Sequence, residues 1–242
     1  AIARGMSKEN KIVLIGITKD GKWYLQDNSE YERIRKDKGA TLQIKEDESK
    51  AVSVIPGGQK DAFVAGGKSL KIDVVFPALH GTYGEDGTIQ GLFEMADVAY
   101  VGCTHLASAI TMDKEKTKQV WQAAGLPVVP YVCMKRTVML DSVVYDAFLE
   151  DTEKELGYPM FVKPVCAGSS NGASKANNKK ELCFALMEAF QWDDKVLIEK
   201  SINAREVECS VTGNSVTAPA DSDVEEVVAY IPGEIAPTHT FY

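Results

Sequence analysis

The stretch Phe161-Val-Lys-Pro-Val-Cys-Ala-Gly-Ser-Ser-Asn-Gly-Ala-Ser-Lys175 has the pattern of a β-strand that runs into a polar loop. Its apolar start stops at Lys163-Pro164, because proline cannot donate to a sheet ladder, and the pattern therefore predicts a strand with Lys163 at its tip. A solvated loop after an edge strand explains the polar part, and the Walker phosphate-binding pattern is absent. An anion cradle explains it too, since backbone amides and hydroxyls can surround a phosphate at Gly168, Ser169, Ser170, Gly172 and Ser174.

The composition narrows the choice of partners. A chain of 242 residues with 45% hydrophobic residues is predicted to form one or two globular domains. The formal net charge of -8 argues against duplex nucleic acid or an anionic membrane as the main partner, because both attract a positive field. A nucleotide stays open, since it needs only a local basic pocket.

The cysteines and the apolar runs bear on location. The 5 cysteines are scattered and lack CxxC spacing, which indicates neither a disulfide framework nor a zinc site. No apolar run reaches the roughly 18 to 20 residues of a membrane span, and no signal peptide is visible. We therefore expect a cytoplasmic protein.

The chain also begins without methionine and stops within a segment, so we expect truncation at both ends.

The first hundred residues predict an α/β arrangement. Strands are expected at 11–18 and 23–25, and residues 26–69 are expected to form loops with short strands. Residues 71–79 are almost continuously apolar, which is typical of a buried parallel strand, and they end at His80. Ligands of open α/β sheets bind beyond the carboxyl ends of strands, so His80 is a candidate substrate contact. A core histidine is the alternative at this point.

The next segments predict helices around more candidate residues. Asp86 is expected to cap a helix whose start favours an anion near His80. Residues 104–124 are expected to form two helices, the second capped by Asp113. Lys114 lies in the first turn of that helix, where the helix dipole disfavours a positive charge, and this position suggests a nearby anion. Lys116 and Lys118 are interpreted as a solvated face.

The remainder predicts a second group of strands and helices. Strands are expected at 126–134 and 195–200, with helices at 142–156, whose Val144, Phe148 and Leu156 face inward, and at 179–191 after the cap Asn178. Alternating residues 205–212 predict a strand, with Gly213-Asn214 as a hairpin turn and a later strand at 225–231. This shift toward strands predicts domains at 1–102, 103–203 and 204–242.

Together these motifs resemble the D-alanine-D-alanine ligases in order and spacing. The matching segments cover nearly the whole chain from about residue 70: His80–Gly91, Tyr100–Gly102, Ala107–Ala109, Met112–Lys114, Ala124–Pro127, Phe161–Pro164, Gly168–Ser170, Ile198–Lys200, Arg205–Glu208, Gly213–Asn214 and Pro232–Ile235. The resemblance implies an ATP-grasp fold preceded by a Rossmann-like α/β N-terminal domain. It also implies that ATP phosphorylates one D-alanine, and that the amine of a second D-alanine attacks the resulting acyl phosphate.

The resemblance also implies roles for single residues. His80 and Ser169 would belong to the catalytic set, with His80 beside the carboxylate of the first D-alanine. ATP would be bound by Lys114 and Lys163 at its phosphates, by the loop residues Ser169 and Ser170, by Glu199, Lys200 and Ile202 at adenine, and by Glu206 at ribose. Two Mg²⁺ ions, with Mn²⁺ as an alternative, would be held by residues beyond Tyr242. A cytoplasmic homodimer without nucleic acid or membrane partners is expected.

Two other functions stay open on the sequence alone. Another ATP-grasp ligase would use D-lactate or D-serine as second substrate or join a different carboxylate and amine, although the element His80–Gly87 argues against the latter. A non-catalytic nucleotide-binding fragment is the other alternative.

Two residues depart from the family pattern, because Asn171 stands where an apolar residue is usual and Ala173 replaces a larger one.

Overall fold

The computed structural model describes residues 2–6, 9–37, 39–213 and 227–236. The chain divides into two compact units, Ala1–Met112 and Asp113–Tyr242. The division into three domains at residues 102 and 203 stays a prediction.

The first unit combines short helices with small sheets. Its sheets are an antiparallel pair β1-β2, an antiparallel sheet β3-β4-β5 and a parallel pair β6-β7. Its described helices and strands are α1 (Ile2–Gly5), α2 (Asn28–Lys36), α3 (Thr88–Met95), α4 (His105–Met112), β1 (Ile15–Ile17), β2 (Trp23–Leu25), β3 (Val52–Val54), β4 (Phe63–Ala65), β5 (Lys68–Ser69), β6 (Val74–Val75) and β7 (Ala99–Tyr100).

Aromatic rings form the core of this unit. The ring of Phe63 lies 6.3 Å from the rings of both Trp23 and Phe93, and Phe93 lies 5.6 Å from Tyr100, measured between centroids. Burial of such rings removes the largest apolar areas in the unit from water. The core thereby joins β2, β4, α3 and β7.

Two sequence expectations for the first unit were wrong. Helix α2 occupies residues that were expected to hold only loops and short strands, and its buried Tyr31 and Ile34 lie three residues apart, as one helix face requires. Only Val74–Val75 of the expected strand 71–79 pairs with another strand, β7, and the orientation is parallel as predicted. The predicted burial is wrong, because Val74 and Phe76 are exposed. His80 therefore lies in a loop and not at the tip of a buried strand.

The second unit is built on a four-stranded antiparallel sheet in the order β10-β9-β11-β8. Two separate antiparallel pairs, β12-β15 and β13-β14, follow it. The elements are α5 (Lys114–Ala123), α6 (Ser142–Leu156), α7 (Lys179–Ala189), β8 (Tyr131–Lys135), β9 (Met160–Pro164), β10 (Ser174–Ala176), β11 (Lys195–Lys200), β12 (Glu206–Glu208), β13 (Val211–Gly213), β14 (Val227–Ala229) and β15 (Gly233–Ile235).

Helices α6 and α7 contribute to the apolar core on one face of this sheet. The core contains Leu149 and Leu156 of α6, Leu182 and Leu186 of α7, and the inward residues of the strands. Leu182, Ala185 and Leu186 of α7 and Phe190 just after it are buried, and the predicted caps Asp113 and Asn178 accept backbone N–H groups of their helices. Val144 was wrongly expected to face inward, because it is 50% exposed.

Strand β9 ends at Pro164, within the Lys163-Pro164 step that the sequence predicted. It includes Lys163 and Pro164, and Pro164 lies opposite Val196 of β11. The next residue, Val165, donates its N–H to the oxygen of Lys195, so the pair at Pro164 falls at a position where no N–H is needed toward β11. Lys163 is therefore the last residue but one of the strand and is paired with β11.

The region after residue 203 forms two short strands where one was expected. Residues 206–208 pair with β15 and residues 211–213 pair with β14, and the side chains of both segments are exposed. The predicted hairpin turn at Gly213-Asn214 and the start of the strand predicted at 225–231 include residues outside the described ranges.

Candidate functional site

The second face of the four-stranded sheet carries charged residues. Successive side chains of a strand point to opposite faces, and Val196 and Ile198 of β11 belong to the apolar core. Glu199 therefore points to the other face. Lys163 lies opposite Leu197 and shares that face, which places it diagonally beside Glu199.

Glu199 is a buried carboxylate with a lysine on each oxygen. Its Oε1 lies 2.6 Å from Nζ of Lys118, and its Oε2 contacts Nζ of Lys163. Burial acts to raise the pKa of Glu199, but the charge of Lys163 and the hydrogen bonds from both lysines outweigh it and hold this pKa below its usual value. The carboxylate is therefore ionised at neutral pH. We call Lys118, Glu199 and Lys163 the lysine-glutamate cluster.

Lys118 was wrongly interpreted as part of a solvated face. Its side chain is only 11% exposed, and besides Glu199 its Nζ donates to the oxygen of Val129 at 3.3 Å and lies 5.1 Å from the ring centroid of Tyr131. Lys114 and Lys118 are four residues apart on α5 and so share a helix face. This spacing could have indicated that Lys118 is not on a solvated face, because an anion near Lys114 would also lie near Lys118.

Lys114 lies against the start of the Gly/Ser loop. Its Nζ donates to the backbone oxygens of Val165 at 3.2 Å and Ala167 at 2.5 Å. Burial is the main cause that lowers the pKa of Lys114, and the like charge of Lys163 adds to it. Lys114 and Lys163 thus lie close enough for their positive charges to oppose each other, while Asp193 and Glu199 act in the opposite direction on the pKa of Lys114.

A second ion cluster on this face was not predicted. Nζ of Lys195 lies 2.8 Å from Oδ2 of Asp113 and 2.6 Å from Oε2 of Glu115. Burial acts to lower the pKa of Lys195, but the two carboxylates raise it well above its ordinary value. This cluster fixes the first turn of α5 to β11, and thereby holds Lys114 and Lys118 in register with Glu199.

The loop after β9 is shaped by left-handed residues. Ser169 and Ser170 have φ angles of 51° and 56°, and both are exposed. Asn171 donates its N–H to the oxygen of Gly168, and Ala173 donates to that of Ser170, at 3.1 Å each. The turn therefore presents the two predicted serines to solvent.

The other predicted nucleotide contacts lie apart from the lysine-glutamate cluster. Lys200 ends β11 and is exposed, while its N–H donates to the oxygen of Pro130 at 3.0 Å. Ile202 is exposed after the strand, and Glu206 is exposed in β12 opposite Ile235. Within the described ranges, no hydrogen bond joins the side chains of Lys200 or Glu206 to the cluster.

His80, in the first unit, is not a core histidine. Its side chain is 92% exposed, and its Nδ1 lies 3.8 Å from Oε1 of Glu85. The other oxygen of Glu85 accepts the N–H of Gly81 at 2.6 Å. The exposed ring is therefore available for contact with a ligand.

The start of α3 differs from its prediction. Gly87 is the N-cap residue, while the predicted cap Asp86 accepts the N–H groups of Thr88 and Tyr83 at 3.0 and 2.8 Å. The carboxylate of Asp86 already satisfies donors that were expected to attract an anionic ligand near His80.

Comparisons with known proteins identify the family. The family model of the D-ala D-ala ligase N-terminus matches residues 1–103, and that of the C-terminus matches residues 120–242. The chain belongs to the D-alanine-D-alanine ligase family. It is 53% identical to the D-alanine-D-alanine ligase of Treponema denticola over 100% of this chain, and 44% identical to that of Acetivibrio thermocellus over 96% of it.

Solved structures of family members support the same fold. The D-alanine-D-alanine ligase from Coxiella burnetii matches with a TM-score of 0.76 and 30% identity over 97% of this chain and 64% of its own. The VanG D-Ala:D-Ser ligase from Enterococcus faecalis matches with 0.75 and 32% over 97% of this chain and 63% of its own. The α/β fold of the ATP-grasp ligases, predicted from the sequence, is confirmed.

The chain spans about three fifths of the length of its curated relatives, at 63% for the ligase of T. denticola and 61% for that of A. thermocellus. In the ranges that the structure describes, no helix is long and apolar enough to cross a membrane. The same ranges contain no group of three or more His, Cys, Asp or Glu side chains that could hold a metal ion.

Proposed function

We propose that the complete protein is an ATP-dependent ligase that joins two D-alanine molecules through a D-alanyl phosphate, for peptidoglycan precursor synthesis. The family membership and the names of the curated relatives support this reaction. The observation that carries it is the lysine-glutamate cluster next to Lys114 and the Gly/Ser loop.

The charges of this site suit a nucleotide. Lys118 and Lys163 contact Glu199, and the pKa of Lys114 is lowered first by burial and then by the charge of Lys163. A bound polyphosphate would relieve the repulsion between Lys114 and Lys163, and its contacts with ammonium groups are strengthened where water is displaced. The donor set therefore fits the phosphates of ATP.

Each residue that the sequence singled out has a role in this reaction. Lys114 and Lys163 bind phosphates, and the loop with Ser169 and Ser170 closes over them, with Ser169 also in the catalytic set. Glu199, Lys200 and Ile202 bind adenine through the end of β11 and the backbone after it, and Glu206 accepts ribose hydroxyls. His80 steadies the carboxylate of the first D-alanine as a hydrogen-bond donor.

ATP supplies the phosphoryl group that makes a carboxylate oxygen a leaving group. The protein then orients the amine of the second D-alanine and excludes water, so that amide formation prevails over hydrolysis. We propose that the two Mg²⁺ ions, with Mn²⁺ as an alternative, are held outside the described residues. A homodimer in the cytoplasm is part of the same proposal.

The proposal includes the identity of the second substrate. The family resemblance favours D-alanine, while a solved relative acts on D-serine according to its name. ADP release by the complete protein should be measured with D-alanine alone and with D-alanine plus D-serine or D-lactate, and L-alanine serves as the control. We expect ADP formation with D-alanine alone. ATP hydrolysis that does not respond to D-alanine would overturn the ligase function.

A further inference from the structure

Lys118 and Lys163 differ in their freedom to leave Glu199. The side chain of Lys118 is 11% exposed and that of Lys163 is 33% exposed. Lys118 also has a second acceptor in the oxygen of Val129. Both lysines lie near an aromatic ring, Lys118 at 5.1 Å from the centroid of Tyr131 and Lys163 at 6.0 Å from that of Phe161. Lys163 is thus the partner with access to a ligand, and Lys118 is the partner fixed inside the unit.

We propose that Lys118 is a positioning residue that keeps Glu199 compensated while Lys163 moves from Glu199 to the phosphates of ATP. The inference rests on the proposed function. In the free protein Glu199 holds Lys163 in place without blocking its exposed side. Once Lys163 binds phosphate, the contact of Lys118 with Oε1 remains and the buried carboxylate is still paired.

The physical reason is the cost of an unpaired buried charge. Removing one partner of a buried ion pair is far more costly than the net gain from forming the pair. Without Lys118, release of Lys163 would leave Glu199 buried and alone, so Lys163 would stay on Glu199 and compete against the nucleotide. Lys118 would then control ATP affinity without touching ATP.

A double-mutant cycle tests this dependence on Glu199. Lys118→Met is compared in the wild-type background and in the Glu199→Gln background, and the Kd of ATP is measured by calorimetry on the complete protein without D-alanine. In the wild-type background, we expect Lys118→Met to raise the Kd of ATP by about tenfold or more. In the Glu199→Gln background, we expect it to raise the Kd by less than about twofold, because a neutral amide does not hold Lys163. Lys116→Met is the matched control, because Lys116 is an exposed lysine on the same helix, and it should leave the Kd unchanged.

Steady-state kinetics gives a second readout. Lys118→Met should raise the KM for ATP and leave the KM for D-alanine unchanged, which a general loss of structure would not do. Thermal unfolding of every variant verifies folding. If Lys118→Met does not fold, Lys118→Gln, which keeps donors for Glu199 and Val129, takes its place in the cycle.

The outcomes separate this inference from the proposed function. A wild-type protein that does not bind ATP would overturn both. ATP binding by the wild type, with an equal cost of the Lys118 substitution in both backgrounds, would overturn the inference alone and leave the proposed function standing. No cost in either background would also overturn the inference.

Discussion

Glu199 is a buried residue whose charge depends on its neighbours. Burial favours the neutral acid, whereas the charge of Lys163 and the hydrogen bonds from Lys118 and Lys163 favour the carboxylate, and the resulting pKa is below the usual value. The carboxylate in turn is the counter-charge for two lysines. The stability of the cluster therefore depends on the ionisation of one side chain.

Replacing Glu199 by Gln should lower the free energy of unfolding by about 3 to 5 kcal/mol at pH 7, because two lysines lose a buried partner. Since the pKa of Glu199 is lowered in the folded state, its stabilisation is present above the unfolded-state pKa and is lost as pH falls through the folded-state pKa. The difference between wild type and variant should therefore shrink toward about pH 3.

Urea unfolding at both pH values measures this difference. Glu188→Gln is the control, because Glu188 is an exposed carboxylate on α7, and it should change stability little at either pH. The same loss for Glu199→Gln at acid and neutral pH would contradict an ionised Glu199 as its cause.

Replacing Lys163 by Met should weaken ATP binding by about tenfold to hundredfold, since a charge-assisted contact to phosphate contributes roughly 1.5 to 3 kcal/mol. Calorimetry on the complete protein measures the Kd. Lys175→Met is the control, because Lys175 is an exposed lysine on the neighbouring strand β10. Unchanged ATP affinity and turnover would remove Lys163 from the phosphate site.

Sequence reasoning found only part of the charged cluster. Lys163 and Glu199 could be proposed from family motifs, because each lies in a short segment with a characteristic order. Lys118 could not be found that way, since it lies in a run of lysines that composition assigns to solvent. Its spacing of four residues from Lys114 places it on the same helix face, but its contact with Glu199 of β11 is a tertiary contact that a local pattern does not contain.

At the scale of elements, strong local signals gave correct bounds. Helix α6 was predicted at 142–156 and strand β11 at 195–200, and both are confirmed. Where an apolar run alone indicated a strand, the predicted bounds were wrong. The apolar run 71–79 resembled a long buried strand, yet only Val74–Val75 has a partner strand, because pairing depends on β7 and not on the run itself.

The Gly/Ser loop requires glycine at one of its positions. Gly172 has a φ angle of +67°, and a Cβ there would lie 2.5 Å from Cδ1 of Trp192 and 2.9 Å from Cγ of Pro164. Gly172→Ala should lower the free energy of unfolding by about 1 to 3 kcal/mol, from backbone strain and overpacking.

Gly168 offers the matched control in the same loop. A Cβ at Gly168 would meet no atom within 4 Å, so Gly168→Ala should change stability by less than about 0.5 kcal/mol. Urea unfolding of the two variants side by side measures both effects. Equal stability of the two variants would contradict the close approach at Gly172.

At the scale of the whole molecule, the proposed roles follow the two compact units. Every residue proposed to bind ATP lies in Asp113–Tyr242, and His80 lies in Ala1–Met112. The fold class could be predicted because many weak motifs occur in the family order, although no single motif suffices. This arrangement predicts that the two substrates can be affected separately.

Replacing His80 by Gln in the complete protein tests that separation. In its proposed role as a donor to the D-alanine carboxylate and to the oxyanion formed on amine attack, His80 should contribute a factor of roughly ten or more to kcat or to the KM for D-alanine. The Kd of ATP should stay unchanged, because the proposed nucleotide contacts all belong to the other unit. The melting temperature should also stay unchanged, since the His80 side chain is almost fully exposed. Steady-state kinetics, calorimetry and thermal unfolding on one preparation give all three values, and normal kinetics would exclude His80 from the substrate site.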